Sequence, residues 1–139
     1  MTSDELADAV VDVFNGLEDQ PLAFTAKKPS VVQEIESDRG EFSVYVLSKN
    51  EGEEPLGDLG NTQRRTLVVS VATTGAITVG NTIGSFLDQT KTLRESLEGT
   101  ELGGYLHDRN EVISVWDLDA ATSDNRFLSL FEATYYTFS

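Results

Sequence analysis

An α+β domain is predicted, with two principal helices packed on a mainly antiparallel sheet of about five strands. Apolar residues recur at steps of three and four in two segments, one at the N-terminus and one near residues 81–98. Short runs rich in β-branched and aromatic residues alternate in side-chain character elsewhere. The resulting order is helix, three strands, helix, two strands, which suits helices laid on one antiparallel sheet. At 139 residues the chain has the length of a single domain spanning 1–139 and can bury one core.

The first helix is announced by Thr2 and Glu5, which have capping-box spacing, and by Asp4 and Glu5 at the positive end of the helix dipole. Leu6, Val10, Val13, Phe14 and Leu17 make one apolar stripe, opposite Asp8, Asp12 and Asn15, and Gly16 with Pro21 marks the exit. A strand is expected after Pro29, carrying Val31, Val32 and Ile35, with Glu34 and Glu36 toward solvent. Phe42, Val44 and Val46 alternate with Ser43, Tyr45 and Leu47 in a second strand, and TLVVSVA, Thr66 to Ala72, forms a third. Between these two, residues 48–63 are rich in Gly, Pro and acids and offer little to bury. They are expected to form a long mobile or interaction loop.

The second helix carries Ile83, Phe86, Leu87, Thr90, Leu93 and Leu97, with Gly84 weakening its first turn and Gly99 at a left-handed C-cap. Two strands follow. EVISVWDL contains Val112, Val115 and Trp116, and FLSLFEATYYTF, from Phe127 to Phe138, closes the sheet as an aromatic strand.

Ten basic and 24 acidic residues give a net charge of −14, with 39% hydrophobic residues and no cysteine. Such acidity argues against ordinary phosphate-backbone binding and against an anionic membrane surface. No apolar run approaches the length of a membrane span, and the N-terminus lacks the basic start and apolar centre of a signal peptide. Disulfides, Cys-based metal sites and a Cys nucleophile are excluded. With His107 the single histidine, a zinc site of the usual ligand type cannot be assembled within one chain.

Catalytic arrangements are scarce. His107 precedes Asp108 in a Gly-rich stretch that reads as a solvated turn, and no serine sits in a nucleophile elbow. Asp117, Asp119 and Asp124 suggest calcium, but Ala121 and Thr122 break the loop pattern, leaving a polar hairpin connection. Gly75, Gly80 and Gly84 precede or open a helix without phosphate-loop or dinucleotide spacing and without a nearby cation, so turn geometry accounts for them. No catalytic, cofactor or metal role is therefore assigned. The candidate residues instead form a partner or subunit interface around the long loop: Glu51, Glu53, Glu54, Leu56, Asp58, Arg64 and Arg65. Arg64 and Arg65 are expected to enter salt bridges within or between subunits. The carboxylates of the loop have no apolar pocket to raise a pKa for acid–base work.

The succession LADAVVDVFNGL, a Val-and-acid strand, FSVYVLS, a long polar loop, RTLVVSVA, TIGSFLDQTKTLRESL and finally FEATYYTF resembles the tail-terminator and tail-completion proteins of the tailed-bacteriophage neck. The resemblance covers nearly the whole chain in element order and texture, without an invariant motif. It implies an α+β subunit that forms a homo-oligomeric ring, usually a hexamer. Such a ring caps the tail tube and presents a surface to the head-side connector. The implied partners are a second copy, the tail-tube protein and the connector, in a virion assembled in the host cytoplasm. No cofactor is implied. The loop at 48–63 is the part that would reach a neighbour, and an acidic balance with four lysines departs from the family texture. A negative lumen would let DNA pass without holding it. High-salt adaptation and plain solubility are other sources of the same acidity. The alternative from a different class is an acidic DNA mimic that inhibits a nucleic-acid enzyme, although the acids are scattered over loops, helix faces and turns.

Overall fold

The computed structural model describes residues 1–38, 40–55, 62–114 and 125–138. Helix α1 (Ser3–Asn15) begins with the expected capping box: the Glu5 N–H donates to the Thr2 hydroxyl at 3.1 Å, and the Thr2 N–H donates to the Glu5 carboxylate at 3.2 Å. Its apolar face buries Leu6, Ala7, Val10 and Phe14, while Asp4 and Asp8 stay exposed and pair with Lys28 at 3.0 and 2.8 Å. Asn15, at the last turn, clamps the short strand β1 (Ala26–Lys27). Its side-chain amide accepts from the Ala26 N–H at 2.7 Å and donates to the Ala26 carbonyl at 3.0 Å.

Six strands form one sheet in the order β1-β2-β3-β6-β5-β4, antiparallel throughout except for the β1–β2 pair. The long members are β2 (Phe42–Pro55), β3 (Gln63–Ala76), β5 (Tyr105–Ser114) and β6 (Arg126–Phe138); β1 and β4 (Glu101–Leu102) are two residues each. The α+β class and antiparallel character match expectation, with one more strand than the five expected. Helices α1 and α3 (Ile83–Leu97) cover one face of the sheet, α1 over β2 and β3, α3 over β6. Register places Val44, Val46, Leu67, Val69, Val71, Phe131, Ala133 and Tyr135 on that face, all buried.

Gly75 determines how closely α3 can approach. The Phe86 ring stacks on Phe42 and on Phe127, at centroid distances of 5.7 and 5.1 Å. A Cβ at Gly75 would stand 2.5 Å from the Phe86 ring and 2.6 Å from the Glu41 carbonyl oxygen. The polar groups α3 carries inward are satisfied. Thr90 lies 3.2 Å from Thr73, and Gln89 accepts from the Leu22 N–H and donates to Gln20. Thr82 caps the helix through the Ser85 N–H, and Gly99 adopts φ +72° just beyond its end, as expected of a left-handed terminus.

Three expectations are corrected. Val32–Ser37 is a short helix, α2, not a strand. The Ser30 N–H donates to the Glu34 carboxylate at 2.8 Å, and Val31 is exposed. The loop expected at 48–63 is mostly strand: β2 and β3 pair from Phe42 opposite Gly75 to Pro55 opposite Gln63, with a bulge between Ser48 and Asn50. Residues 56–61 lie outside the described residues. The turn expected around His107 belongs to β5. The reversal is confined to Gly103 and Gly104, at φ +58° and +84°, the pair of positive values that a two-residue hairpin requires. Val115, Trp116 and the acids of the 115–124 connection lie outside the described residues.

Because the Phe86 ring and a main-chain oxygen both occupy the space above Gly75, Gly75→Ala is expected to destabilise the fold by about 1–3 kcal/mol. Gly84→Ala serves as the control, since its nearest obstacle is a side-chain oxygen 3.7 Å away. Thermal or urea unfolding of the two variants measures the difference.

Candidate functional site

The strand correction brings most of the candidate residues to one end of the sheet, as cross-strand neighbours. Glu53 stands opposite Arg65 and forms an ion pair with it at 3.7 Å, and Glu54 stands opposite Arg64. Glu51 turns toward α1, where its carboxylate accepts the Ser3 N–H at 2.7 Å and meets the positive end of the helix. Arg64 reaches across the sheet to Asp108 at 3.0 Å, with its guanidinium over the Tyr136 ring at 4.7 Å. The two arginines therefore enter intrachain salt bridges. Leu56 and Asp58 lie outside the described residues.

His107 and Asp108 separate into different environments. The His107 ring meets the Asn110 side-chain oxygen at 2.8 Å and the edge of Tyr135, whereas Asp108 faces Arg64 and Arg109. His107 stands opposite Tyr135, whereas Asp108, the extra residue of a bulge, is held by Arg64, so the two do not act as one acid–base unit. Among the described residues no group of three His, Cys, Asp or Glu side chains is placed to hold a metal ion. No helix among them is long and apolar enough to cross a membrane.

A polar cluster on the sheet face opposite α1 and α3 was not anticipated. Arg126 is only 6% exposed, and its guanidinium donates to the Gly40 carbonyl and the Thr74 hydroxyl at 3.2 Å, with Asp38 at 3.9 Å. The Tyr45 hydroxyl donates to the other Asp38 oxygen. Burial opposes the Asp38 charge, but donation from Tyr45, Gly40 and Ser43 and the Arg126 charge prevail and hold its pKa below the ordinary value. Burial, followed by the hydrogen bond and charge of Asp38, pushes the Tyr45 hydroxyl well above the ordinary tyrosine value. Each member has a partner within the chain. The cluster anchors the segment after α2 to the sheet.

What the sheet leaves open is its two edges. β4 pairs only with Tyr105 and Leu106, and His107 donates its N–H to the Thr100 carbonyl at 2.9 Å. From Asp108 to Ser114 no strand among the described residues pairs with the outer side of β5. Along this strand Leu106, Val112 and Ile113 are exposed by 44%, 42% and 48%. An open cleft of about 560 Å³ lies between β5 and the C-terminal half of α3, its walls carrying charges of both signs: Lys91, Arg94 and Arg109 with Glu95, Glu98 and Asp108. On the opposite edge, β1 pairs only with Val44 and Tyr45, leaving the outer side of β2 open from Lys49 to Pro55 among the described residues. Unpaired edges present free N–H and C=O groups and are ready templates for another chain. In the sequence, Leu106, Val112 and Ile113 are spread among His107, Asp108, Arg109 and Glu111 without a clean period, so exposure on an edge was not legible. Compared with protein-family models and with curated proteins, the chain matches none.

Two pH limbs follow from the buried cluster. The Asp38 contribution is complete above the ordinary carboxylate value of 3.8 and is lost as pH falls through its lower folded value. The Tyr45 contribution is complete below 10.0 and is lost as pH rises above it, because the unfolded chain ionises first. Tyr45→Phe is expected to cost about 1–3 kcal/mol at neutral pH, since Asp38 loses a donor, and to flatten the alkaline limb. Unfolding midpoints measured across the alkaline range check both effects.

Proposed function

We propose that this protein is a structural subunit of the neck of a tailed phage, forming a ring that caps the tail tube and joins it to the head-side connector. The observation that carries this reading is the pair of sheet edges left open among the described residues, one of them with exposed Val112 and Ile113. A subunit that offers two different edges of one sheet is suited to repeated association with its own kind. The antiparallel α+β architecture agrees with the fold that the sequence resemblance implies. In this reading the protein is not an enzyme and takes no cofactor. Its partners are its own copies, the tail-tube protein and the connector, and it resides in the virion. The charge of −14 then keeps the ring from holding DNA that passes through it.

The purified full-length protein is expected to run as an oligomer by multi-angle light scattering, to show rings with a central opening in electron micrographs, and to stop the growth of tail tubes in vitro. A protein that stays monomeric both alone and with tail-tube subunits would overturn the proposal. Ring-free capture of the chain by a basic DNA-binding protein at low salt would instead favour the acidic-mimic reading.

A further inference from the structure

We infer that Asn15–Gly16 is a site of self-modification: when β1 leaves the sheet edge Asn15 deamidates, and the change keeps β1 from returning. Of the asparagines in the chain, Asn15 alone precedes a glycine. Glycine has no Cβ to crowd its nitrogen and permits main-chain angles that other residues do not, so Asn–Gly closes on itself more readily than other Asn dipeptides. The Gly16 main-chain nitrogen gives up its proton and attacks the Asn15 side-chain carbonyl carbon. A C–N bond forms and closes a cyclic imide, while the bond to the side-chain amide nitrogen breaks and ammonia leaves. Water then opens the ring to aspartate or isoaspartate, and nothing is oxidised or reduced.

In the closed structure both reactants are tied down. Gly16 has helical angles, φ −85° and ψ −7°, and its N–H donates to the Asp12 and Val13 carbonyls at 3.0 and 3.2 Å. The Asn15 amide is fixed by the Ala26 N–H at 2.7 Å and the Ala26 carbonyl at 3.0 Å. Those two bonds also hold β1, whose only ladder partners are Val44 and Tyr45. A two-residue edge strand lies at the low end of local stability. The last turn of α1 has no basic residue to favour its carbonyl end. Release of β1 therefore frees Asn15 at a helix end disposed to fray, and Asn15 lies at the surface, where water is at hand.

The product does not fit the clamp. Aspartate still accepts from the Ala26 N–H, but it has no hydrogen for the Ala26 carbonyl, which then meets a second carboxylate oxygen. Isoaspartate also lengthens the main chain at the end of α1. Val44 and Tyr45 are left without their partner strand, and a reversible opening becomes a lasting one. The reaction needs no second chain, so it is separable from the assembly proposed above.

Full-length protein is incubated at mildly alkaline pH, in buffer and in urea, and the tryptic peptide containing Asn15 is followed by mass spectrometry. Deamidation is expected to be slower in buffer by about tenfold or more, the factor that corresponds to a local opening free energy of about 1.4 kcal/mol. Equal rates would show that the structure does not close the site, and an unreactive Asn15 in urea would remove the site altogether. Gly16→Ala, which the helical angles accept, is expected to slow the reaction in urea; an unchanged rate there would also overturn the assignment. Hydrogen exchange is then measured on the Asn15→Asp variant and on the deamidated fraction of aged protein. Both are expected to lose protection at residues 26–27 and 44–45, whereas protection equal to that of the unmodified chain would overturn the lasting release of β1.

Discussion

The stack of Phe42, Phe86 and Phe127 over the bare backbone of Gly75 is the contact from which the layer arrangement follows. One ring from α3 meets side chains from β2 and β6 and, between them, the main chain of β3. Offset aromatic stacking favours this geometry, but only a residue without a Cβ lets the ring descend to the sheet. With Phe86 seated there, Leu93 and Leu97 fall over the β6 side of the sheet, and the Thr73, Thr90 and Ser129 hydroxyls satisfy one another in the adjacent layer. Helix α1 fills the remaining width over β2 and β3.

Concentrating both long helices on one face has a cost at the margins. The edge elements β1 and β4 are too short to cover the strands they flank, so β2 and β5 each keep an open side among the described residues. Isolated proteins blunt such edges with charge and bulges, and both devices occur here: a bulge at Ser48/Asn50 with glutamates beyond it, and irregular register around Asp108 and Ile113. The devices are unequal. β2 bears Lys49 and three glutamates, whereas β5 combines exposed Val112 and Ile113 with charges of both signs nearby.

The buried Arg126 cluster has a different role. It joins Asp38, Gly40, Tyr45 and Thr74 across otherwise unrelated segments, so the connection following α2 is held to the sheet by polar contacts rather than by apolar burial. The acids of the chain accordingly serve distinct purposes: Asp4 and Glu5 favour a helix start, Glu51 meets another chain segment at that start, Asp38 is internal, and Glu53 and Glu54 line an edge.

Local chemistry by itself determined α1, α3, the closing strand and the α+β class. Thr2 with Glu5, the spacing of Leu6, Val10 and Phe14, and the alternation from Phe127 onward act within a few residues of one another, so they can be read without knowing what they pack against. Tertiary structure alone decided the rest. Glu51, Glu53 and Glu54 looked like loop residues because an exposed strand edge leaves no burial period; only their position opposite Leu67, Arg65 and Arg64 makes them strand. Val31, Val32 and Ile35 looked like a strand, but Glu34 bonding back to Ser30 accompanies a single helical turn there. His107 and Asp108 looked like part of a solvated turn, and only their pairing opposite β6 makes them strand. The edges of β2 and β5 left open among the described residues have no sequence signature at all, because an edge is defined by what pairs beside it, and that depends on the order in which distant segments pair.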